Sequence, residues 1–100
     1  MANLAEMTES LRKVLAAQHA GDISLKIDMG PDGVIRTQGA EVSNVDSPAD
    51  CTLTISKPDL ERVMSGDLDP QAAMATGRLR LAGDMQVAVR MQPIIAKAWG

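Results

Sequence analysis

The chain is 100 residues long, the length of one folding domain, and 45% of its residues are hydrophobic and 23% charged, as in ordinary globular proteins. The net charge is −3 without a basic block, and Trp99 is the only aromatic residue, which argues against nucleic-acid binding through basic surfaces and stacking rings. No apolar run approaches the ~18 residues of a membrane span. Cys51 is the only cysteine and has no disulfide partner within the chain, which predicts a reducing, cytoplasmic location.

The first half of the chain predicts one helix followed by three strands. Apolar residues recur at helical spacing over residues 3–19, with charged residues on the other face. Residues 23–29 alternate between apolar and polar, which indicates a half-buried strand. A Gly-Pro-Asp-Gly turn separates this strand from a second at residues 34–38, and a third is expected at residues 41–45. Short turns between the strands predict an antiparallel meander.

The middle of the chain predicts a strand and two short helices. Residues 51–55 alternate, and Ser56 follows as a helix cap, with Gly66 as the stop of that helix. Asp69 repeats the arrangement, because it is followed by a proline that suits the first helical position, and we expect a second helix over residues 71–76.

The last segment predicts a fifth strand and a long helix. Residues 78–82 alternate, and Asp84 caps a helix over residues 85–98, in which Pro93 predicts a kink or a break. About twenty residues separate the fourth and fifth strands, enough for a helical crossover that would permit a parallel pair. The expected fold is α+β: a five-stranded, mostly antiparallel (mixed) sheet backed by helices on one face, with residues 1–100 forming a single domain.

No residue pattern indicates catalysis, a metal site or a cofactor. With His19 as the only histidine, the chain lacks a standard zinc ligand set, and His19 suits a structural or surface role. Asp67 and Asp69 are explained by turn and capping positions. Arg78, Arg80 and Arg90 could form a basic patch that binds an anionic headgroup. The simpler explanation is that these arginines lie on a solvated face. We therefore do not expect an enzyme.

Seven methionines accompany the single aromatic residue. Methionine is flexible and fills irregular spaces, so the apolar faces are explained either as a plain core or as a deformable cavity lining.

Three segments in order resemble the sterol carrier protein 2 (SCP-2) lipid-transfer family. They read LTISKPDL at residues 53–60, GDLDPQAAM at 66–74 and GRLRLAGDM at 77–85, while residues 1–50 match in layout only. The resemblance implies that the sheet and helices enclose an apolar tunnel, which takes up a fatty acyl chain, acyl-CoA, an isoprenoid or a sterol-like lipid. It also implies noncovalent binding without metal or cofactor.

Position by position, the resemblance implies a tunnel lined by Leu60, Val63, Met64, Leu68, Met74, Leu79, Leu81, Val87, Met91, Ile94 and Ile95. A Met64→Trp or Met91→Trp change should then block the ligand and leave the fold intact. The chain departs from the family in carrying Ala73, Met74 and Met91 where aromatics are common. This departure leaves the identity of the lipid open, and it also leaves open whether the tunnel is collapsed.

A second hypothesis comes from a different class of protein. The apolar segment 94–99 could remain exposed and dock onto a partner enzyme or a second copy of the chain, without any lipid. SCP-2-like domains also occur as accessory parts of larger enzymes, which keeps this hypothesis in view.

Overall fold

The computed structural model describes residues 3–18 and 21–100, so the expectation for His19 lies outside the described residues. The first helix, α1, spans Leu4–Ala17. It begins at a capping box in which Glu6 N–H donates to the Asn3 side chain while the Glu6 carboxylate accepts from Asn3 N–H. The backbone N–H groups at the start of a helix have no carbonyl partner within the helix, and this pairing gives two of them a hydrogen bond.

The five strands that alternation predicted are present: β1 Ser24–Asp28, β2 Val34–Gln38, β3 Glu41–Ser43, β4 Cys51–Ile55 and β5 Leu79–Gly83. They form one mixed sheet in the order β3-β2-β1-β4-β5. The antiparallel meander of β1, β2 and β3 is confirmed. The parallel pair was expected in the wrong place, since β4 and β5 are antiparallel and β4 runs parallel to β1. The third strand also ends earlier than expected, and Val45 beyond it is 62% exposed.

The parallel pair results from the segment that joins β3 to β4, residues 44–50, which crosses the outer, polar face of β2 and β1. Arg36 Nη2 donates to the Pro48 carbonyl at 2.8 Å, and Lys26 Nζ lies 3.0 Å from Asp46 Oδ1. These basic side chains alternate with buried Ile27 and Ile35, so they project from the opposite face of the sheet. The crossing places β4 beside β1 and points it in the same direction.

Three further helices complete the fold: α2 Lys57–Met64, α3 Pro70–Ala75 and α4 Met85–Trp99. All three begin at the caps that the sequence predicted, at Ser56, Asp69 and Asp84. Of the kink or break expected at Pro93, the break does not occur, because α4 continues through this residue, and the kink stays a prediction. Pro93 and Val89 are exposed, and water can hydrogen-bond the Val89 carbonyl that proline leaves unpaired.

The start of α4 is fixed against the sheet by Gly83. Its φ is +102°, and a Cβ here would collide with the carbonyl oxygen of Asp50. The next residue, Asp84, donates its N–H to that same carbonyl at 2.8 Å and caps α4 through its side chain. The close approach requires glycine, and it determines the point on the sheet from which α4 departs.

Helix α4 packs against α1 and against strands β1 and β4, while α1 also contacts β3, and the buried apolar residues form one cluster among these elements. Ile94 and Ile95 are buried, and Trp99 Nε1–H donates to the Met7 carbonyl at 2.9 Å. The segment 94–99 is therefore packed onto α1 and the core, and the prediction that it stays exposed for docking was wrong.

Candidate functional site

An apolar cavity of about 580 Å³ lies between the inner face of the sheet and helices α2, α3 and α4. Its floor comes from β4 and β5, where register pairs Leu53 with Leu81 and Ile55 with Leu79. Ile55 and Leu79 are buried, but Leu53 and Leu81 are only half-buried although they belong to the inner face. Both leucines line the cavity, which explains why these inner-face side chains are not fully buried.

The walls come from the three helices around the floor. Helix α2 contributes Leu60, Val63 and Met64, whose spacing of three and four residues places them on one side. Helix α4 faces the cavity with the small residues Ala88 and Ala96, which leave room that larger side chains would fill. The short helix α3 covers only part of the opening.

Large apolar side chains surround the mouth of the cavity and are left in contact with water. Met74 is 44% exposed, Met85 47% and Val89 61%, and all three line the cavity. Apolar side chains gathered at one concave opening are typical of binding sites, whereas isolated exposed ones are ordinary. The cavity is thus open to solvent at this rim, and a tunnel running through the molecule stays a prediction.

None of the described residues that line the cavity is charged; its polar side chains are the amides of Gln71 and Gln92. A ligand inside it would meet methyl and methylene groups and no fixed charge. An ionised group on such a ligand would have to remain at the mouth, because burying an unpaired charge is costly.

The structure brings together most of the residues predicted for the site. Those that line the cavity are Leu60, Val63, Met64, Met74, Leu79, Leu81 and Ile95. Val87, Met91 and Ile94 instead lie in the closed core on another side of α4, and half-buried Leu68 packs beside the cluster after α2. Whether any of these residues contacts a ligand stays a prediction.

Sequence reasoning missed part of the lining. The missed residues are Leu25, Leu53, Ile55, Pro70, Gln71, Met85, Ala88, Val89, Gln92, Ala96 and Gly100. For Leu53 and Ile55 a signal existed, because strand alternation placed them on the face shared with Cys51. For Ala88 and Gln92 the signal was their spacing of seven and three residues from Ile95 on the helix, and Ala96 follows Gln92 by four residues.

Groups with reactive chemistry lie outside the cavity. Cys51 is fully buried, and burial raises the pKa of its thiol; the nearby Asp84 carboxylate raises this pKa further, and a backbone hydrogen bond at Ala88 lowers it in part. Asp67 lies 3.0 Å from Arg62 Nε. Within residues 3–18 and 21–100, no group of His, Cys, Asp and Glu is arranged to hold a metal ion.

The arginines considered for an anionic headgroup do not gather at one place. Arg78 reaches Asp59 at 3.9 Å, Arg80 projects from the outer face beside Thr54, and the Arg90 guanidinium lies next to Gly21.

In the part of the chain that the structure covers, no helix has both the length and the apolar composition needed to cross a membrane.

Fold and cavity together define an α+β domain in which a mixed sheet and its helices surround an uncharged apolar space. Residues 3–96 match the model of the SCP-2 sterol transfer family. The chain is also 35% identical over 80 residues to sterol carrier protein 2 of Oryctolagus cuniculus, a match that covers 72% of this chain and 15% of that protein. The chain therefore belongs to the SCP-2 sterol transfer family, and it spans about 15% of the length of the curated relatives it matches.

Two solved structures share the fold. The solution structure of sterol carrier protein-2 from Aedes aegypti in complex with palmitate has a TM-score of 0.71 and 19% identity, covering 92% of this chain and 93% of that one. A sec-alkylsulfatase from Pseudomonas sp. has a TM-score of 0.53 and 21% identity, covering 88% of this chain but 13% of that one. At these identities the likeness concerns the fold alone.

Proposed function

We propose that residues 1–100 form a single domain that binds and carries one hydrophobic lipid noncovalently in the cavity over Leu53 and Leu81. The observation that carries the proposal is an uncharged space above half-buried sheet leucines that continues into the exposed rim of Met74, Met85 and Val89. Membership of the SCP-2 family supports lipid binding in general, as does the palmitate complex of the similarly folded Aedes aegypti protein.

The energetics favour a long apolar chain as the ligand. Burying one methylene contributes about 0.8 kcal/mol, so about ten methylenes contribute about 8 kcal/mol, which corresponds to roughly micromolar affinity before the costs of association are subtracted. The cavity volume of about 580 Å³ is in the range of small-molecule sites. A flexible fatty acyl chain, an acyl-CoA or an isoprenoid suits the methionine-lined walls, and a sterol-like lipid is a rigid member of the same class.

The proposed contacts are the predicted residues that line the cavity. Val87, Met91 and Ile94 are proposed to support α4 from the closed core, where they lie away from the cavity. The domain would act without catalysis, metal or cofactor. Its single cysteine supports placement in a reducing compartment, which we propose is the cytoplasm.

The first experiment is native mass spectrometry of the purified chain before and after delipidation, followed by addition of palmitate. Leu81→Trp should fill the cavity over the floor and abolish the added mass. Val45→Trp is the matched control, because Val45 is exposed outside the cavity and this variant should bind like the parent chain.

Circular dichroism of both variants separates a blocked cavity from a lost fold. Equal palmitate binding by folded Leu81→Trp and the parent would show that the ligand lies elsewhere. If the delipidated parent takes up neither palmitate, palmitoyl-CoA, farnesol nor cholesterol, the carrier proposal fails.

A second candidate function is a noncatalytic accessory or dimerisation module without lipid. The exposed rim of Met74, Met85 and Val89 favours it, since a protein partner could cover these side chains, and a related fold occurs within the much longer sec-alkylsulfatase. Sedimentation velocity at several concentrations tests self-association. Concentration-dependent dimers that Val89→Glu abolishes, in a chain that takes up no lipid, would favour this candidate.

A further inference from the structure

A second cavity, of about 660 Å³, lies at the end of α2 and has a different chemical character. It is shallower and more open to solvent, and its lining includes the charged side chains of Glu61 and Arg62, which the first cavity lacks, beside Pro58, Ser65 and Trp99. Met64 and the backbone of Gly100 line both cavities. Among the described residues, Met64 is therefore the one side chain that separates the two spaces.

Helix geometry explains this position. Each residue advances about 100° around an α-helix, so Met64 lies about 40° from Leu60, while Glu61 and Ser65 lie about 100° and 140° from it. Leu60 and Val63 line only the apolar cavity, and Glu61 and Ser65 line only the second cavity. Met64 occupies the boundary between the two sectors.

The apolar cavity runs along α4, from the exposed rim toward this boundary. Met85 and Val89 lie near the start of the helix and Gly100 follows its end. At 1.5 Å per residue, Val89 and Gly100 are separated by about 16 Å along the helix axis. A chain whose ionised end remains at the rim would extend along α4 and place its methyl end near Met64.

We propose that Met64 is the specificity-determining residue that sets the longest acyl chain the apolar cavity accepts. This inference rests on the proposed lipid binding. Beyond Met64 a chain enters a shallow space open to solvent, where Arg62 is paired with Asp67 at 3.0 Å and Glu61 lies 3.7 Å from Lys57. An alkyl group there stays largely in contact with water, so further methylenes add little binding free energy. Methionine is long and flexible enough to close the passage and is only half-buried, so it can be shortened without opening the closed core.

The test is a series of saturated fatty acids from decanoate to arachidate, measured by native mass spectrometry on the delipidated chain. For the parent, affinity should rise about fourfold per added methylene up to a limiting length and then stop rising. Met64→Ala removes three heavy atoms, so the rise should continue for about three further methylenes. Met64→Leu, which keeps the volume, should preserve the parent limit.

Trp99 supplies an independent readout because it is the only tryptophan and it lines the second cavity. In Met64→Ala, fatty acids longer than the parent limit should shift the Trp99 emission, while shorter ones should not. Val45→Ala is the control: it shortens an exposed apolar side chain that lines neither cavity, and it should leave both the limit and the emission as in the parent. Met64→Val repeats the test with a smaller loss of packing if the alanine variant does not fold.

The outcomes separate the two proposals. Identical length limits in the parent, Met64→Ala and Met64→Val would overturn the role of Met64 while leaving lipid binding intact. A parent chain that binds no member of the series would overturn the proposed function itself.

Discussion

Helix α4 divides the molecule into two regions that use similar side chains to opposite effect. In the closed region, α1 packs against α4 and β3, and Leu11, Leu15 and Ile27 are fully buried. In the open region, α2 and α3 face β4 and β5, and Leu53 and Leu81 stay half-buried. The comparison shows that apolar composition does not decide between core and cavity. The size of the side chains opposite decides it: long residues from α1 fill the closed region, whereas a short α3 and the alanines of α4 leave the open region unfilled.

The largest difference between the regions should appear when a large side chain is removed from each. Ile27→Ala should lower the free energy of unfolding by about 2–5 kcal/mol, because it leaves a cavity in a fully packed site. Leu81→Ala should cost less than about 1 kcal/mol, since Leu81 already borders empty space. Urea unfolding of both variants measures the contrast, and equal losses would contradict the division into two regions.

A smaller but sharper contrast is expected when a large side chain is added. Met91 is 1% exposed, so Met91→Trp should overpack the closed region and cost about 1–3 kcal/mol. Met64→Trp projects into free space and should change stability by less than about 0.5 kcal/mol. From the sequence we expected both tryptophan variants to leave the fold intact, whereas from the structure we expect this only of Met64→Trp. Thermal unfolding checks it, and equal melting temperatures would count against it.

The smallest expected effect is a difference in the rate of thiol labelling between two positions on β4. Cys51 is buried with a raised pKa, so iodoacetamide should label it slowly at neutral pH in the folded protein. Leu53→Cys, in a chain that also carries Cys51→Ala, should react faster, because position 53 is half-buried and lines the open cavity, whereas Cys51 is closed off and has a raised pKa. Mass spectrometry follows both rates. Fast labelling of Cys51 without denaturant would show that the closed region is not closed.

The elements of the fold were predictable because their signals are local. Ser56, Asp69 and Asp84 cap helices through neighbours two or three residues away, and alternation marks each strand. The strand partners depend on contacts distant in sequence, such as Arg36 with Pro48 across the outer face, and so the parallel pair was misplaced.

The site was predictable only as a set of apolar positions. Val87 and Met91 face the closed core while Ala88 and Ile95 face the cavity, yet all four belong to one broad apolar surface of α4 in the sequence. What separates them is the position of α1, which helical periodicity does not encode. At Pro93 the break, one of the two expected alternatives, does not occur, because the effect of a proline depends on whether water reaches the carbonyl that it leaves unpaired, here that of Val89.

The hydrogen bond from Trp99 to Met7 spans 92 positions of the chain and has a consequence for the order of folding. During synthesis α1 emerges early, but α4, the helix that covers its apolar side, emerges about seventy residues later. Met7, Leu11 and Leu15 therefore remain in contact with water, or with a chaperone, until α4 arrives. Because contacts of such separation form slowly, docking of the two helices is expected to be a late step that completes the closed region.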